Sequence, residues 1–154
     1  MPTILDETRF ILNKYNIKAD KKLGQNFLIS DEAVSKIIDS SDITENDLVI
    51  EIGPGLGTLT KELLERAGKV ICIELDPRMV KILKERFSLY DNFEIIHEDV
   101  LKVDLELIIQ NEKKKESIKK AGLHLASLFC RYCSSELKHL YAFLTGLFLP
   151  GRSD

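Results

Sequence analysis

The sequence predicts an α/β protein built on a parallel sheet, with a ligand pocket at the carboxyl ends of the strands. Apolar strand-like segments alternate with amphipathic helix-like segments across short joins, a pattern typical of such sheets. The first clear strand, 48–52, runs directly into the glycine-rich turn 53–57. The second strand ends at Glu74, about 20 residues further on, where a carboxylate often holds a ribose diol.

The residues that start and cap helices predict the first elements of the chain. A short helix is predicted over 9–15, followed by a loop over 18–28. Ser30 is suited to cap a second helix, because Asp31 and Glu32 then lie in its first turn, near the positive end of the helix dipole. The strand at 48–52 follows, and its nearly continuous apolar character indicates burial on both faces.

The elements after the glycine turn have equally clear boundaries. Thr58 begins a helix that Gly68 ends, and a second strand follows over 70–73. The pair Asp76-Pro77 predicts the next helix start, because aspartate is a good cap and proline fits the first helical position. A third strand is predicted over 93–97.

Three candidate ligand-binding residues each follow the end of a predicted strand: Gly53, Glu74 and Asp99. Parallel strands bring their carboxyl ends to one edge, so these residues should lie close together. Each has a plainer interpretation: the glycine turn as a bare connection, Glu74 as a neighbour of a helix cap, and Asp99 as a turn former. Their joint occurrence in this order favours a binding site.

The glycine spacing indicates the class of cofactor. Dinucleotide-binding proteins favour G-x-G-x-x-G, in which the third glycine seats the helix beneath a pyrophosphate. Residues 51–57 instead read E-x-G-x-G-x-G, which resembles the first motif of S-adenosylmethionine-dependent methyltransferases. An NAD-dependent oxidoreductase is the weaker alternative, because it does not explain this spacing.

A second motif narrows the resemblance. Residues 21–28 read Lys-Lys-Leu-Gly-Gln-Asn-Phe-Leu, upstream of the glycine turn. Together with Glu74 and the Asp99 of His-Glu-Asp-Val, this segment resembles the ribosomal RNA adenine dimethyltransferases, over residues 9 to about 109. The resemblance implies a Rossmann-like class I methyltransferase sheet, S-adenosyl-L-methionine as cofactor, and dimethylation of N6 of adjacent adenines in small-subunit ribosomal RNA or a pre-ribosomal particle.

The same resemblance implies roles for individual residues. Gly53 would let the backbone approach the cofactor, Glu74 would accept from both ribose hydroxyls, and Asp99 would accept from the adenine amino group. Asn26 and Leu28 would close the pocket from the N-terminal side. The alternative interpretation of Asn26 is that it is an ordinary loop residue without a binding role.

No catalytic residue is predicted. Members of this family use an N-L-P-[YFW] segment after the fourth strand to position N6, and the chain contains no such segment. Asn111 is followed by Glu-Lys-Lys, so the role is not transferred to it. We therefore expect an incomplete sheet, and either a truncated enzyme or a cofactor-binding fragment without activity.

Four segments are predicted from composition. They are an N-terminal helix with a basic closing loop (1–28), a cofactor-binding core (29–109), a charged linker (110–120) and an apolar tail (121–154). We expect no fourth strand in the tail, which changes character so abruptly that a shifted reading frame or a truncation is expected from about residue 117. The alternative is one or two helices over 123–149 that cover the sheet edge.

Several remaining features suggest partners and location. The net charge is −3, but the core has 18 acidic and nine basic side chains, whereas the segments 1–28 and 110–120 are basic. A patch of Lys18, Lys21 and Lys22 could attract RNA phosphates, although charge alone favours an ordinary solvated surface. No signal peptide or membrane span is recognised, so a cytoplasmic protein is expected. The possible ligands His124, Cys130, Cys133 and His139 lack zinc-finger spacing, so no metal site is predicted.

Overall fold

The computed structural model of the chain describes residues 2–18, 27–114 and 123–127. These residues form five α-helices, four β-strands and one short 3-10 helix. The elements in chain order are α1 (Ile4–Lys14), α2 (Asp31–Asp39), β1 (Leu48–Ile52), α3 (Thr58–Leu64), β2 (Lys69–Glu74), α4 (Pro77–Arg86), β3 (Phe93–His97), the 3-10 helix (Val100–Lys102), α5 (Leu105–Lys114) and β4 (Leu123–Ser127). The predicted α/β class is confirmed.

The four strands form one parallel sheet in the order β3-β2-β1-β4. From β1 the chain moves in one direction to β2 and β3, whereas β4 lies on the other side of β1. The strand order therefore reverses beside β1. Ligands in open α/β sheets bind in the crevice outside the carboxyl ends of the strands at such a reversal, and the glycine turn leaves β1 at this place.

Both faces of the sheet are covered. On one face, Val49 of β1 and Val70 of β2 pack into a cluster with apolar residues of α1 to α4. On the other face, Leu48 and Ile50 pack with residues of α5. Because successive strand residues point to opposite faces, a strand buried on both sides must be apolar nearly throughout, as β1 is.

The helix starts agree with the capping signals, with one difference. Ser30 accepts a hydrogen bond from the Ala33 amide and Asp76 accepts one from the Arg78 amide, as expected for N-caps. Helix α1, however, begins at Ile4 and not at residue 9. Thr3 and Asp6 form a reciprocal capping box, which fixes the earlier start.

The C-terminal half differs more from expectation. Helix α5 continues to Lys114 and so includes the first part of the segment predicted as a linker. The expectation that no fourth strand forms was wrong, because residues 123–127 pair in parallel with β1 along its whole length. Strand pairing uses backbone N–H and C=O groups, which any extended segment supplies. It therefore does not require the alternation of strands and turns on which the prediction was based. Residues 128–154 lie outside the described part of the chain.

Within the described ranges, the structure contains no helix long and apolar enough to cross a membrane.

Candidate functional site

The glycine turn is left-handed at three alternate positions. Gly53, Gly55 and Gly57 have φ angles of 67°, 59° and 81°, which residues with a β-carbon rarely adopt. The Gly53 amide donates to the Ile73 carbonyl at 2.9 Å, and the Gly57 amide donates to the Pro54 carbonyl at 2.9 Å. The first bond ties the start of the turn to the end of β2, and the second closes the turn on itself.

The three glycines differ in what surrounds them. A β-carbon added at Gly53 would meet no atom within 4 Å, so its backbone borders open space. At Gly55 the added atom would lie 3.6 Å from the Phe27 ring, whereas at Gly57 it would lie 2.6 Å from the ring of Phe87. Gly57 therefore serves close packing on α4, and Gly53 leaves bare backbone beside a space that a ligand can fill.

Glu74 joins the turn to the end of β2. Its side-chain Oε2 accepts from the Gly55 amide at 3.2 Å, and Oε1 accepts from the Asp76 amide at 2.9 Å. The residue is only 8% exposed, and burial raises the pKa of its carboxyl, while the surrounding amide donors oppose that shift. The bond from the amide of Asp76, the N-cap of α4, also agrees with the plainer interpretation of Glu74 as a neighbour of the helix cap.

The Glu74 carboxylate retains acceptor capacity. A carboxylate offers about four lone-pair positions; the Gly55 and Asp76 amides use two of them, and the Leu75 amide also interacts with the group. A hydroxyl donor, such as one of a ribose, matches a remaining position. The carboxylate can therefore accept from a sugar hydroxyl without breaking the bonds that hold the glycine turn.

Asp99 lies at the same edge of the sheet. Its neighbour His97 is paired with Glu74 across β2 and β3, and Asp99 follows two residues later. Its Oδ1 accepts from the Leu101 amide at 3.0 Å and caps the short 3-10 helix. Asp99 thus forms a turn, in agreement with its plainer interpretation, and this turn follows the carboxyl end of β3.

The N-terminal segment reaches the glycine turn through Phe27, whose ring approaches Gly55. Leu28 is half-buried and packs against the same core cluster. Lys18 is exposed. The predicted pocket residue Asn26 lies outside the described residues, as do the two lysines of the proposed basic patch.

A buried acid that was not predicted as a site residue lies beneath the turn. Glu51 of β1 is fully buried, and its Oε2 accepts from the Thr60 hydroxyl of α3 at 2.6 Å and from the Cys72 thiol of β2 at 3.6 Å. Its Oε1 has no hydrogen-bond partner among the described residues. The sequence signal was present, because Glu51 is the one charged residue within an otherwise apolar strand.

The burial of Glu51 has an electrostatic consequence. Removal from water raises the pKa of its carboxyl to about 7, while the bonds from Thr60 and Cys72 act in the opposite direction. A neutral acid is therefore strongly populated near neutral pH. In this form it can sit under the glycine turn without the full cost of burying a charge.

A family comparison identifies what this architecture is. The model of the family described as "Ribosomal RNA adenine dimethylase" matches residues 16–137. The chain belongs to the ribosomal RNA adenine dimethylase family. The match continues past residue 109, where the resemblance was expected to end, and it includes β4.

Two curated relatives are both called ribosomal RNA small subunit methyltransferase A. The protein from Clostridium botulinum is 53% identical over 112 residues, which are 73% of this chain and 40% of the relative. The protein from Dehalococcoides mccartyi is 39% identical over 138 residues, which are 89% of this chain and 47% of the relative. The chain thus spans less than half the length of the relatives it matches.

A solved structure supports the Rossmann-like methyltransferase fold. An RNA methyltransferase from Salinibacter ruber, crystallised with S-adenosyl-L-homocysteine, has a TM-score of 0.53 and 19% sequence identity. The likeness covers 81% of this chain and 73% of that one. The fold class predicted from the sequence, an incomplete class I methyltransferase sheet, is confirmed.

The end of β4 is where the sequence departs from the family pattern. Ser127 ends the strand and is in register with Ile52, the residue before Gly53. The residues that follow are Leu-Phe-Cys, so the adenine-positioning segment N-L-P-[YFW] is absent here too. Of the possible zinc ligands, Cys130, Cys133 and His139 lie outside the described residues, and His124 is described only as backbone in β4.

The two kinds of glycine in the turn predict different costs of substitution. Gly57→Ala should lower the free energy of unfolding by about 2 to 5 kcal/mol, the sum of about 1 to 2 for a left-handed backbone and about 1 to 3 for overpacking. Gly53→Ala, which has a left-handed backbone but open space, should cost only about 1 to 2 kcal/mol. Urea unfolding of both variants measures the difference, and equal costs would contradict the packing role of Gly57.

Glu51 predicts a pH-dependent stability. Because its folded pKa of about 7 lies above the ordinary value of 4.5, the folded state holds an extra proton between these values. Stability should therefore be full at low pH and fall as pH rises through this window, by about 3 kcal/mol. Glu51→Gln removes the titrating group and therefore this loss. The unfolding free energy of the variant, minus that of the unmodified protein, should therefore rise between about pH 4.5 and 7.5.

Urea unfolding of both proteins across the pH range is the measurement. Glu65→Gln, at an exposed position on the neighbouring helix end, is the control for the chemical change. A difference between Glu51→Gln and the unmodified protein that stays constant with pH would show that Glu51 does not titrate in this window.

Proposed function

We propose that the chain is the S-adenosyl-L-methionine-binding part of an enzyme that dimethylates N6 of adenine in small-subunit ribosomal RNA. The observation that carries the proposal is the buried Glu74 carboxylate, which accepts the Gly55 amide at the switch point of the sheet and keeps free acceptor positions. Family membership supplies the reaction class.

The residues present fit this cofactor. Open space at Gly53 allows the backbone to approach the methionine and adenosyl portions, and Glu74 offers acceptors for the ribose hydroxyls. Asp99, at the end of the next strand, is proposed to accept from the adenine amino group. Asn26 and Leu28 are proposed, from the family motif, to close the pocket. The bound cofactor supplies an activated methyl group, and the chain's own residues bind and orient it.

An RNA substrate is supported by the family and by the distribution of charge. The cofactor core is acidic, whereas the segments on either side of it are basic. Clustered cations attract phosphates by releasing counterions, and Lys18, the described member of the proposed patch, is exposed. We infer that the substrate is small-subunit ribosomal RNA, alone or within a pre-ribosomal particle, and that the protein acts in the cytoplasm.

A second candidate is a cofactor-binding fragment that does not catalyse. It is favoured by Ser127 and the residues after it, which do not match the segment that positions N6. Methyl transfer needs the nitrogen lone pair aligned with the methyl group more than it needs acid or base help. An NAD-dependent oxidoreductase is disfavoured by the glycine spacing and by family membership.

The cofactor proposal predicts that Glu74→Ala weakens S-adenosylhomocysteine binding about tenfold to a hundredfold, because hydrogen bonds to a charged group contribute about 1.5 to 3 kcal/mol each. Isothermal titration calorimetry measures the affinity. Glu94→Ala is the matched control, because Glu94 lies in β3 away from the carboxyl edge and pairs with Lys69. Unchanged affinity in the Glu74 variant would remove it from the site, and tighter binding of NADH would favour the oxidoreductase.

The missing positioning segment predicts that this polypeptide alone does not dimethylate adenine. Misplacing a reacting group by about 1 Å can cost about 100-fold in rate, and loss of the whole clamp should cost more. Undermethylated small ribosomal subunits and cofactor labelled in its methyl group provide the assay. Robust incorporation at two adjacent adenines would show that other residues perform the positioning.

A further inference from the structure

Arg86, the last residue of α4, contacts two other parts of the chain at once. Its Nη1 donates to the backbone carbonyl of Leu56, within the glycine turn, and its Nη2 forms an ion pair with Glu7 of α1. The Arg86 side chain is only 15% exposed. One guanidinium group therefore connects α1, α4 and the turn that borders the proposed cofactor pocket.

The Leu56 carbonyl needs such a partner. Leu56 is 2% exposed and lies between the left-handed Gly55 and Gly57. The helical hydrogen bonds of α3 begin one residue later, where the Lys61 amide donates to the Gly57 carbonyl. A buried carbonyl without a donor is unfavourable, so loss of Arg86 should disturb the conformation of the turn.

The turn is thus held from two opposite directions. From the sheet side, the Glu74 carboxylate accepts from the Gly55 amide. From the helix side, Arg86 donates to the next residue's carbonyl. Together the two bonds fix the Pro54–Gly55 and Leu56–Gly57 peptide groups. The turn that begins at Gly53, where the backbone borders open space, is therefore held at two points.

We propose that Arg86 is a positioning residue for cofactor binding, which couples the placement of helix α1 to the conformation of the glycine turn. The inference rests on the proposed function and adds a residue to it. Arg86 does not touch the cofactor. It acts through Leu56, and Glu7 orients the guanidinium group so that its second edge faces the turn.

The chemistry of arginine suits this bridging role. Its planar guanidinium presents donors in a fixed fork, so it can serve a carbonyl and a carboxylate at the same time, whereas lysine has a compact ammonium on a flexible stem. The guanidinium also lies 5.3 Å from the ring centre of Phe87, the residue that packs against Gly57. Burial lowers the pKa of Arg86, and the Glu7 carboxylate opposes this shift and keeps the cation favoured.

A second ion pair provides a matched control. Lys14 of α1 and Glu85 of α4 form a salt bridge at 3.1 Å, and both side chains are about half exposed. It joins the same two helices, and Glu85 is next in sequence to Arg86. Within the described part of the chain, the hydrogen bonds and ion pairs of Lys14 and Glu85 do not include a residue of the glycine turn. Breaking it removes a link between α1 and α4 and leaves the Leu56 carbonyl with its donor.

The test compares variants that are folded at the assay temperature. We expect Arg86→Met to weaken S-adenosylhomocysteine binding about tenfold in calorimetry, Arg86→Lys to recover part of that loss, and Lys14→Met to leave the affinity unchanged. Glu7→Gln should weaken binding less than Arg86→Met. The double variant should bind no more weakly than Arg86→Met alone, because Glu7 acts through Arg86.

Amide hydrogen exchange provides a readout that does not depend on the cofactor. Arg86→Met should increase exchange in α1 and at the Gly57 amide together, whereas Lys14→Met should affect α1 alone. If Arg86→Met does not fold, Arg86→Lys and Glu7→Gln decide the same question.

Two results would overturn the inference. One is equal affinity of the Arg86 variants, Lys14→Met and the unmodified protein; the other is exchange at Gly57 that is insensitive to Arg86. Failure of the unmodified protein to bind S-adenosylhomocysteine is a different result, because it removes the proposed function, and the exchange comparison still decides whether Arg86 couples α1 to the turn.

Discussion

The hydrogen bond from the Gly55 amide to the Glu74 carboxylate joins the ends of the two central strands, and the arrangement of the candidate site depends on it. It requires a left-handed backbone at Gly55, a carboxylate at the last position of β2, and a parallel register that aligns Ile52 with Ile73. With these three conditions met, a buried carboxyl group is bonded to the glycine turn at the switch point of the sheet, and the backbone of Gly53 in the same turn borders open space. That combination of burial and free acceptor positions is what a neutral, hydroxyl-bearing ligand group requires.

The polar groups around the turn are buried at a free-energy cost that local bonds offset. Glu51 is held by the Thr60 hydroxyl and the Cys72 thiol, yet one of its oxygens has no partner in the described structure. Arg86 donates a hydrogen bond to the Leu56 carbonyl from the opposite side of the turn. A buried polar group with an unpartnered atom stabilises a fold less than an apolar residue would, and a concentration of buried polar groups under one turn is a common feature of binding sites.

The relation to the family explains both the agreement and the departure. The chain matches the ribosomal RNA adenine dimethylase model over 16–137, and its sheet includes a fourth strand beside β1. The strand after which the family carries its positioning segment is therefore present beside β1. The residues at that position differ from the family's positioning segment, so cofactor binding and methyl transfer are separable questions for this chain.

The sequence by itself determined the α/β class, three of the strands and the helix caps at Ser30 and Asp76. It also determined that Gly53, Glu74 and Asp99 follow strand ends at one edge of the sheet. These features are predictable because strand patterns, turn glycines and capping residues act over a few neighbouring positions. Only the tertiary structure decided the start of α1, the pairing of β4 with β1, and the bonds that Arg86 makes to Glu7 and Leu56. Glu7 and Arg86 are 79 residues apart. Contacts of that kind arise when packing brings distant segments together, so local sequence patterns do not predict them.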